Sequence, residues 1–474
     1  MTFAATEFGP LSASIQALQQ LTRSETYKGK IYLVGGLLRD LFLGLPLPAE
    51  YDLVVEGDAV ELAKLLHRRG FSRHFPVLYP RFGTAMLHAA APAGDGPMVE
   101  IVSARSETYA PTSRKPNVQK AALEVDAFRR DFTINTLMQN IHTGEIRDLT
   151  GAAQTDLHAR IVRTPRDPEI TFHDDPLRML RAIRFAARLR FTISPETWQA
   201  IQRMAGRLRP PAVSRERIKE EFVKIASLPG PRFRAGLQML LDSNLLEQFL
   251  PELLPMVGCG QNQWHLYDVW THTLVAIENL PDEARLALRL GLMWHDAGKP
   301  ATKSEDERGV HFYGHQQVGA EMCRAMMSRL RFSSEEIRDA TALVALHMRI
   351  GEYKQGWTDA AVKRLIRDCG SYLEDLIVLA RCDIAASNIA AGEIVDLEAL
   401  QHRIDALNAL RDVRKIESPL TGYEIMEELH GRPGRYIADV KEFLTNEVIE
   451  GRLEEGDRET ARAMIAQRTW PVTR

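Results

Sequence analysis

Hydrophobic periodicity changes once along this chain, and the change dictates a two-part architecture. In the first third, "KIYLVGG", "YDLVVEG", "FGTAMLHA" and "MVEIVSA" are short, β-branched and mostly bounded by Gly or Pro, as strands are. "AVELAKLLHRRG" steps every 3.6 residues and closes at Gly70, as a helix does. From Asp174 onward nearly every stretch is helical in period, including "DPLRMLRAIRFAARLRF", "ERIKEEFVKIA" and "RAGLQMLLDSNLLEQFL". Pro210 and Pro211 mark a joint, and "TYAPTSRKPNVQKA" reads as a mobile loop. The pattern predicts an α/β head, a small mixed sheet with helices, followed by an all-α body. At 474 residues the chain holds several domains.

The formal net charge is −3, so a polyanionic partner has to be held by local basic patches. Cys259, Cys323, Cys369 and Cys382 have no paired spacing, which argues against a zinc ribbon or a disulfide framework and for a reducing compartment. No apolar run is long enough to span a bilayer. A cytoplasmic protein with no membrane partner is expected.

Two groups of residues carry chemistry. In the head, Gly35 and Gly36 end the strand of "YLVGGLLRD", followed by Arg39 and Asp40. A lone Gly-Gly is most simply a tight turn, but glycines also admit a phosphate to free backbone N–H groups. Glu50 and Asp52 are spaced i, i+2 and so share one side of a strand, where two carboxylates repel unless a cation lies between them. Magnesium, bound by one or two carboxylates plus substrate phosphates, fits that arrangement. "FRRDFTINTL" adds Arg129, Arg130 and Asp131: arginines able to clamp phosphate and a carboxylate able to accept a ribose hydroxyl. In "HDDPLRMLRAIRF", Asp174 or Asp175 suits a helix cap, while Arg178, Arg181 and Arg184 follow at three-residue steps on one face. A carboxylate and a guanidinium side by side offer a donor–acceptor edge that can pair with a base.

These pieces, with "SRERIKEE" and the tail "PLTGYEIMEELHGRPG", resemble in content and order the class II tRNA nucleotidyltransferases, the CCA-adding enzymes and their relatives. The resemblance implies template-independent addition of C, A or both to the 3′ end of tRNA from CTP and ATP. It implies that Glu50 and Asp52 are the catalytic and Mg2+-binding acids. Gly35, Gly36, Arg39, Asp40, Arg129, Arg130, Asp131, Asp175, Arg178 and Arg181 are then the expected nucleotide-binding residues, with Asp175 and Arg178 as the template for the incoming base. Two positions depart from the family pattern: Glu50 stands where aspartate is usual, and Asp174-Asp175 where Glu-Asp is usual.

The second group lies in the helical half. His272, His295-Asp296 in "MWHDAGK" and Asp383 in "RCDIA" offer imidazole and carboxylate on helices, a set that suits Mn, Ni, Fe or Mg. A lone buried His-Asp is more often a satisfied core pair. The full set resembles the HD phosphohydrolase superfamily, which implies metal-dependent phosphoester hydrolysis with Mn2+ or Ni2+. Lys299 follows as in its "HDxGK" core, and His311, His315 and His347 fall where further ligands lie. The expected domains are residues 1–150, a nucleotidyltransferase head; 151–250, base recognition and neck; 251–390, HD type; and 391–474, a tRNA-contacting tail. Two competing readings are a bacterial poly(A) polymerase, whose "GRRFRL" signature is replaced here by "YPRFGTAML", and an HD hydrolase with a nucleotide-binding regulatory head. The loop 105–120 is present; CC-adding members of the family that this chain resembles tend to shorten that loop, so the resemblance mildly favours an enzyme able to add A.

Overall fold

The computed structural model describes residues 5–23, 26–91, 94–108, 117–261, 266–307, 309–353, 356–387, 395–410 and 416–472. The chain forms two compact units, Met1–Leu228 with Ala235–Pro251 and Pro229–Arg234 with Glu252–Arg474.

The first unit is built on a seven-stranded sheet. Its strands are β1 (Ile31–Val34), β2 (Glu50–Val55), β3 (Val77–Tyr79), β4 (Thr84–Ala91), β5 (Gly94–Ser103), β8 (Met138–Asn140) and β9 (Ile146–Arg147), with β6 (Arg105–Thr108) and β7 (Asn117–Lys120) paired separately. The spatial order is β3-β4-β5-β2-β1-β8-β9. Only β2 and β5 run parallel, so the sheet is mixed as expected. One face is covered by the helix Ala59–Arg68, whose Leu62, Ala63 and Leu66 are buried. Asp58 starts that helix by accepting from the N–H groups of Val60 and Glu61 through Oδ1. On the other face the helix Leu123–Arg129 buries Leu123 and Ala127 against Tyr32, Val34, Val54 and Met138. Strands β3, β8 and β9 went unread in the sequence because each has only two or three residues. The expected loop begins and ends in the β6–β7 pair; Pro111, Arg114, Lys115 and Pro116 lie outside the described residues.

Helices follow. Pro168–Asp174 and Leu177–Leu189 meet at Asp175 and Pro176, and Ser214 caps Arg215–Ala226 by accepting from the N–H of Arg217. In the second unit, Val269–Glu278, Leu286–Trp294, His315–Arg329, Ser334–Leu346 and Leu373–Ala386 pack on one another. A separate core of Leu420, Ile425, Tyr436, Val440 and Leu444 serves the last helices. The helical half is not strand-free: Ser304–Asp306 pairs with Gly309–His311, turning at Gly309 with φ +108°. The β-branched and aromatic run "VHFY" that follows this glycine favours strand over helix there. Among the described residues no helix is long and apolar enough to cross a membrane.

Candidate functional site

The head site starts at the end of β1. Gly35 has φ +77°, and a Cβ there would lie 3.3 Å from Asp52 Oδ2 and 3.9 Å from Arg130 Nη1. The missing side chain therefore keeps the approach to Asp52 open, in a conformation glycine adopts without strain. Val34 pairs with Asp52 across β1 and β2, and Asp52 pairs with Glu100 across β2 and β5. Paired residues face the same side of a sheet, so Glu50, Asp52 and Glu100 form a patch of three carboxylates. Burial pushes the Asp52 carboxyl up, Arg130 pulls it down, and the Glu50 charge pushes it up again; the net direction is up. A divalent cation held by oxygen donors relieves that crowding, so these residues fit Mg2+.

Cations surround the acids, and each is held by a buried carboxylate. Asp126 accepts from Arg129 through Oδ1 (2.9 and 2.6 Å) and from Arg130 through Oδ2 (3.1 and 3.0 Å). Burial alone would raise the Asp126 carboxyl, but Arg130 and Arg129 hold it below the usual range. Asp131 accepts from Arg181 through Oδ2 (2.9 and 2.5 Å), while its Oδ1 accepts from Asn135 Nδ2 and the Phe132 N–H. Both Asp131 oxygens are thus engaged, and the carboxyl is depressed by Arg181 against its burial. Arg39 is buried, donates to Asp40 (2.8 Å) and to Asn135 Oδ1 (2.7 Å), and lies 5.0 Å from the Phe185 ring centre. Arg188 donates to the other Asp40 oxygen at 3.0 Å. Gly35, Gly36, Arg39, Asp40, Glu50, Asp52, Arg130, Asp131 and Arg181 line one cavity of about 290 Å³.

Arg129, Asp175 and Arg178 are not among its lining residues. The expected side-by-side pair of Asp175 and Arg178 is replaced by other contacts. Asp175 Oδ2 accepts from Arg217 Nη2 at 2.8 Å, and its Oδ1 caps the Leu177 N–H. Arg178 donates to the backbone carbonyl of Arg129 at 2.7 Å. The reason is geometric: the chain bends at Asp175 and Pro176, which aims the carboxylate at the helix Arg215–Ala226. Asp174 pairs with Arg166.

In the second unit, Val269–Glu278, Leu286–Trp294, Ser334–Leu346 and Leu373–Ala386 bring His272, His295-Asp296, His347 and Asp383 together. His315 joins them as the first residue of its helix. The groups form two clusters that share one carboxylate: His272, His295 and Asp296, and Asp296, His315 and His347. Asp383 Oδ1 lies 2.7 Å from His272 Nε2 and 3.7 Å from His295 Nε2. Each imidazole turns Nδ1 to a backbone carbonyl: His272 to Ala386 (3.3 Å), His295 to Leu292 (2.7 Å), His315 to Phe312 (2.8 Å) and His347 to Val344 (2.7 Å). A carbonyl only accepts, so Nδ1 carries the hydrogen and Nε2 is the inward-facing atom. Burial lowers His315, and lowers His347 to about 4, which leaves both rings neutral. Their Nε2 lone pairs then face one another at 3.2 Å, an arrangement that a cation resolves. His295 Nε2 and Asp296 Oδ2 are buried without a hydrogen bond; the Lys299 ammonium 2.7 Å from Asp296 Oδ2 is an ion-pair neighbour rather than an aligned donor. His311 is not part of the cluster: it bonds Asp306 at 2.9 Å and stacks on Tyr313.

Three stretches match described families: residues 31–163 the Poly A polymerase head domain, 190–256 the Probable RNA and SrmB- binding site of polymerase A, and 265–392 the HD domain. The chain is 33% identical to the CC-adding tRNA nucleotidyltransferase of Thermus thermophilus, over 91% of this chain and 92% of that protein. The chain belongs to the tRNA nucleotidyltransferase family. It is 32% identical to the A-adding tRNA nucleotidyltransferase of Deinococcus radiodurans over 72% of this chain and 79% of that one. Its fold matches the Bacillus stearothermophilus CCA-adding enzyme in complex with CTP, with a TM-score of 0.66, 21% identity and 97% coverage of each chain.

Within this tRNA nucleotidyltransferase, several site residues escaped the sequence reading. Glu100 was visible as the one acid in the apolar strand "MVEIVSA", and Asp126 stands three and four residues before the two arginines it holds. Arg217 and Glu221 lie in the stretch "SRERIKEE", but spacing does not show their roles, because their partners Asp175 and Arg184 lie 42 and 37 residues away.

Proposed function

We propose that the head transfers nucleotides from CTP and ATP onto the 3′ end of tRNA, performing CCA addition or one part of it. The observation that carries this reading is the single cavity in which Gly35, Glu50, Asp52 and Arg130 converge. Glu50, Asp52 and Glu100 would hold Mg2+, which in nucleotidyl transfer supplies charge for an attacking hydroxyl and a leaving oxygen. Gly35 and Gly36 leave room for a triphosphate, Arg39 and Arg130 face its charge, and Arg181, fixed by Asp131, closes the wall opposite. Asp131 serves here to aim Arg181, since both its oxygens are committed. Base choice is assigned to Asp175, Arg178 and Arg217 beside the cavity. The test uses tRNA transcripts ending before CCA, after C and after CC, each with CTP, ATP or both. Extension of at least one transcript by its correct nucleotide supports the reading; no extension of any rejects it.

A second activity rests on the facing Nε2 atoms of His315 and His347. The helical cluster would hold two divalent ions, Mn2+ or Ni2+, with Asp296 between them, and such ions supply an activated water for phosphoester hydrolysis. Four Nδ1–H groups held by carbonyls fix the ring orientations in advance. Metal analysis of the purified protein, with hydrolysis of a 2′,3′-cyclic nucleotide and a terminal phosphate, tests it. Absence of both bound metal and hydrolysis removes this activity from the account.

A further inference from the structure

Three of the guanidinium groups in the head cavity converge on one aromatic ring. Phe185, on the helix Leu177–Leu189, is 4% exposed and lines the cavity with Arg39, Arg181 and Arg184. The guanidinium carbon of Arg184 lies 4.2 Å from the ring centre, that of Arg39 5.0 Å and that of Arg181 5.6 Å. All three distances fall within the range in which a cation is drawn to the negative face of a ring. Arg181 stands one turn before Phe185 on the same helix, whereas Arg39 comes from the helix Gly36–Phe42, so the ring joins the two elements. Phe132 packs on the ring in turn, with centres 5.7 Å apart and planes at 79°.

Hydrogen bonds hold these groups by their edges. Arg39 gives Nε to Asp40 and Nη1 to Asn135, Arg181 gives Nε and Nη2 to Asp131, and Arg184 gives Nε to Glu221. Glu221 also lies 3.7 Å from Arg181. The ring meets all three. Like charges gathered in this way repel, and burial disfavours the charged forms of Arg39 and Arg184, pushing both pKa values down. An aromatic face offsets part of that cost, and its attraction strengthens as the cation loses water. Charges fixed in place before a ligand arrives leave less to be ordered on binding.

We propose that Phe185 is a positioning residue for the nucleotide: its ring seats Arg39, Arg181 and Arg184 around one centre and so fixes in advance the charges that receive the triphosphate. The role rests on the reading that the head takes CTP and ATP. It is electrostatic rather than a matter of filling space, so it belongs to the face of the ring and not to its volume. A core residue of the same shape without that face would keep the fold and loosen the arginines.

Phenylalanine analogues with one, two and three ring fluorines, placed at position 185, test this directly, because they nearly keep the shape of the ring while draining its face of negative charge in steps. KM for CTP or ATP is expected to rise stepwise, by about threefold or more at three fluorines, with kcat and KM for tRNA changed less than about twofold. The Ki of inorganic tripolyphosphate as a competitive inhibitor should rise in parallel. Phe185→Leu should raise the nucleotide KM by about tenfold. Thermal melts check the fold of each protein, and the fluorine series decides if the leucine variant does not fold. A nucleotide KM that stays flat across the series overturns the proposal. So does a rising nucleotide KM with an unchanged tripolyphosphate Ki, because the ring would then touch the base rather than seat the arginines. If the wild type adds no nucleotide at all, the activity reading fails by itself, and equilibrium binding of labelled ATP and of tripolyphosphate across the series still decides the role of Phe185.

Discussion

Asp126 is the residue on which the cationic side of the head site depends. It is fully buried and accepts from two guanidinium groups, so removing it leaves Arg129 and Arg130 without their shared counter-charge. Breaking a buried charge network by deleting one partner costs about 3–5 kcal/mol, and Asp126→Ala should destabilise the first unit by that order in urea unfolding. A loss under about 1 kcal/mol would show the arginines to be well solvated without it. The pH sign follows from the same group. Its folded pKa lies below its unfolded value, so its stabilisation is full above about pH 4 and is lost as pH falls through the folded pKa. Asp131 adds in the same direction. Asp126→Asn should therefore flatten the acid limb of the stability curve. In the helical cluster the sign is opposite. Burial alone would lower His295, but Asp296 and Asp383 push it up to about 10. A proton then occupies the nitrogen that a metal needs, and metal uptake at pH 8 should release about one proton, read with an indicator dye in weak buffer. Uptake without proton release would place the metal elsewhere.

At the scale of elements, the helix Leu177–Leu189 organises the head. Arg181 and Arg184, at a three-residue step, meet Asp131 and Glu221, and the latter comes from Arg215–Ala226. That second helix also supplies Arg217 to Asp175, so base choice is assigned to two helices rather than to one i, i+3 pair. Arg217→Ala should lower the preference for the correct nucleotide, measured as the ratio of kcat/KM values among the four triphosphates, by about tenfold. An unchanged ratio would make Asp175 a helix cap only. The sequence displayed one half of this arrangement. Spacing placed Glu50 with Asp52 and the arginines on one helical face, because strand and helix periods are local. It mispaired Asp175 with Arg178, because the bend at Pro176 and the approach of a helix 42 residues later are tertiary facts. The edge strand Val77–Tyr79 was missed for its shortness.

At the scale of the molecule, head and helical cluster belong to different compact units, and each draws its ligands from its own unit. The change of hydrophobic period near Asp174 foretold an α/β part and a helical part, but not where the compact units divide. The helix Gly230–Asp242 contributes its first residues to one unit and the rest to the other. The two activities should separate: His295→Ala with Asp296→Ala should abolish transition-metal content and phosphoester hydrolysis while nucleotide addition stays within about twofold. Loss of both together would mean that the cluster supports the fold of the whole chain. The central claim is that the strand-borne acids drive addition to tRNA ends. Its most direct test is single-turnover incorporation of labelled CTP and ATP into tRNA by the wild type and by Asp52→Ala, with equal helicity and equal metal content in the second unit. The account predicts incorporation by the wild type and a loss of at least about 100-fold in Asp52→Ala. Incorporation by folded Asp52→Ala at close to the wild-type rate would contradict it.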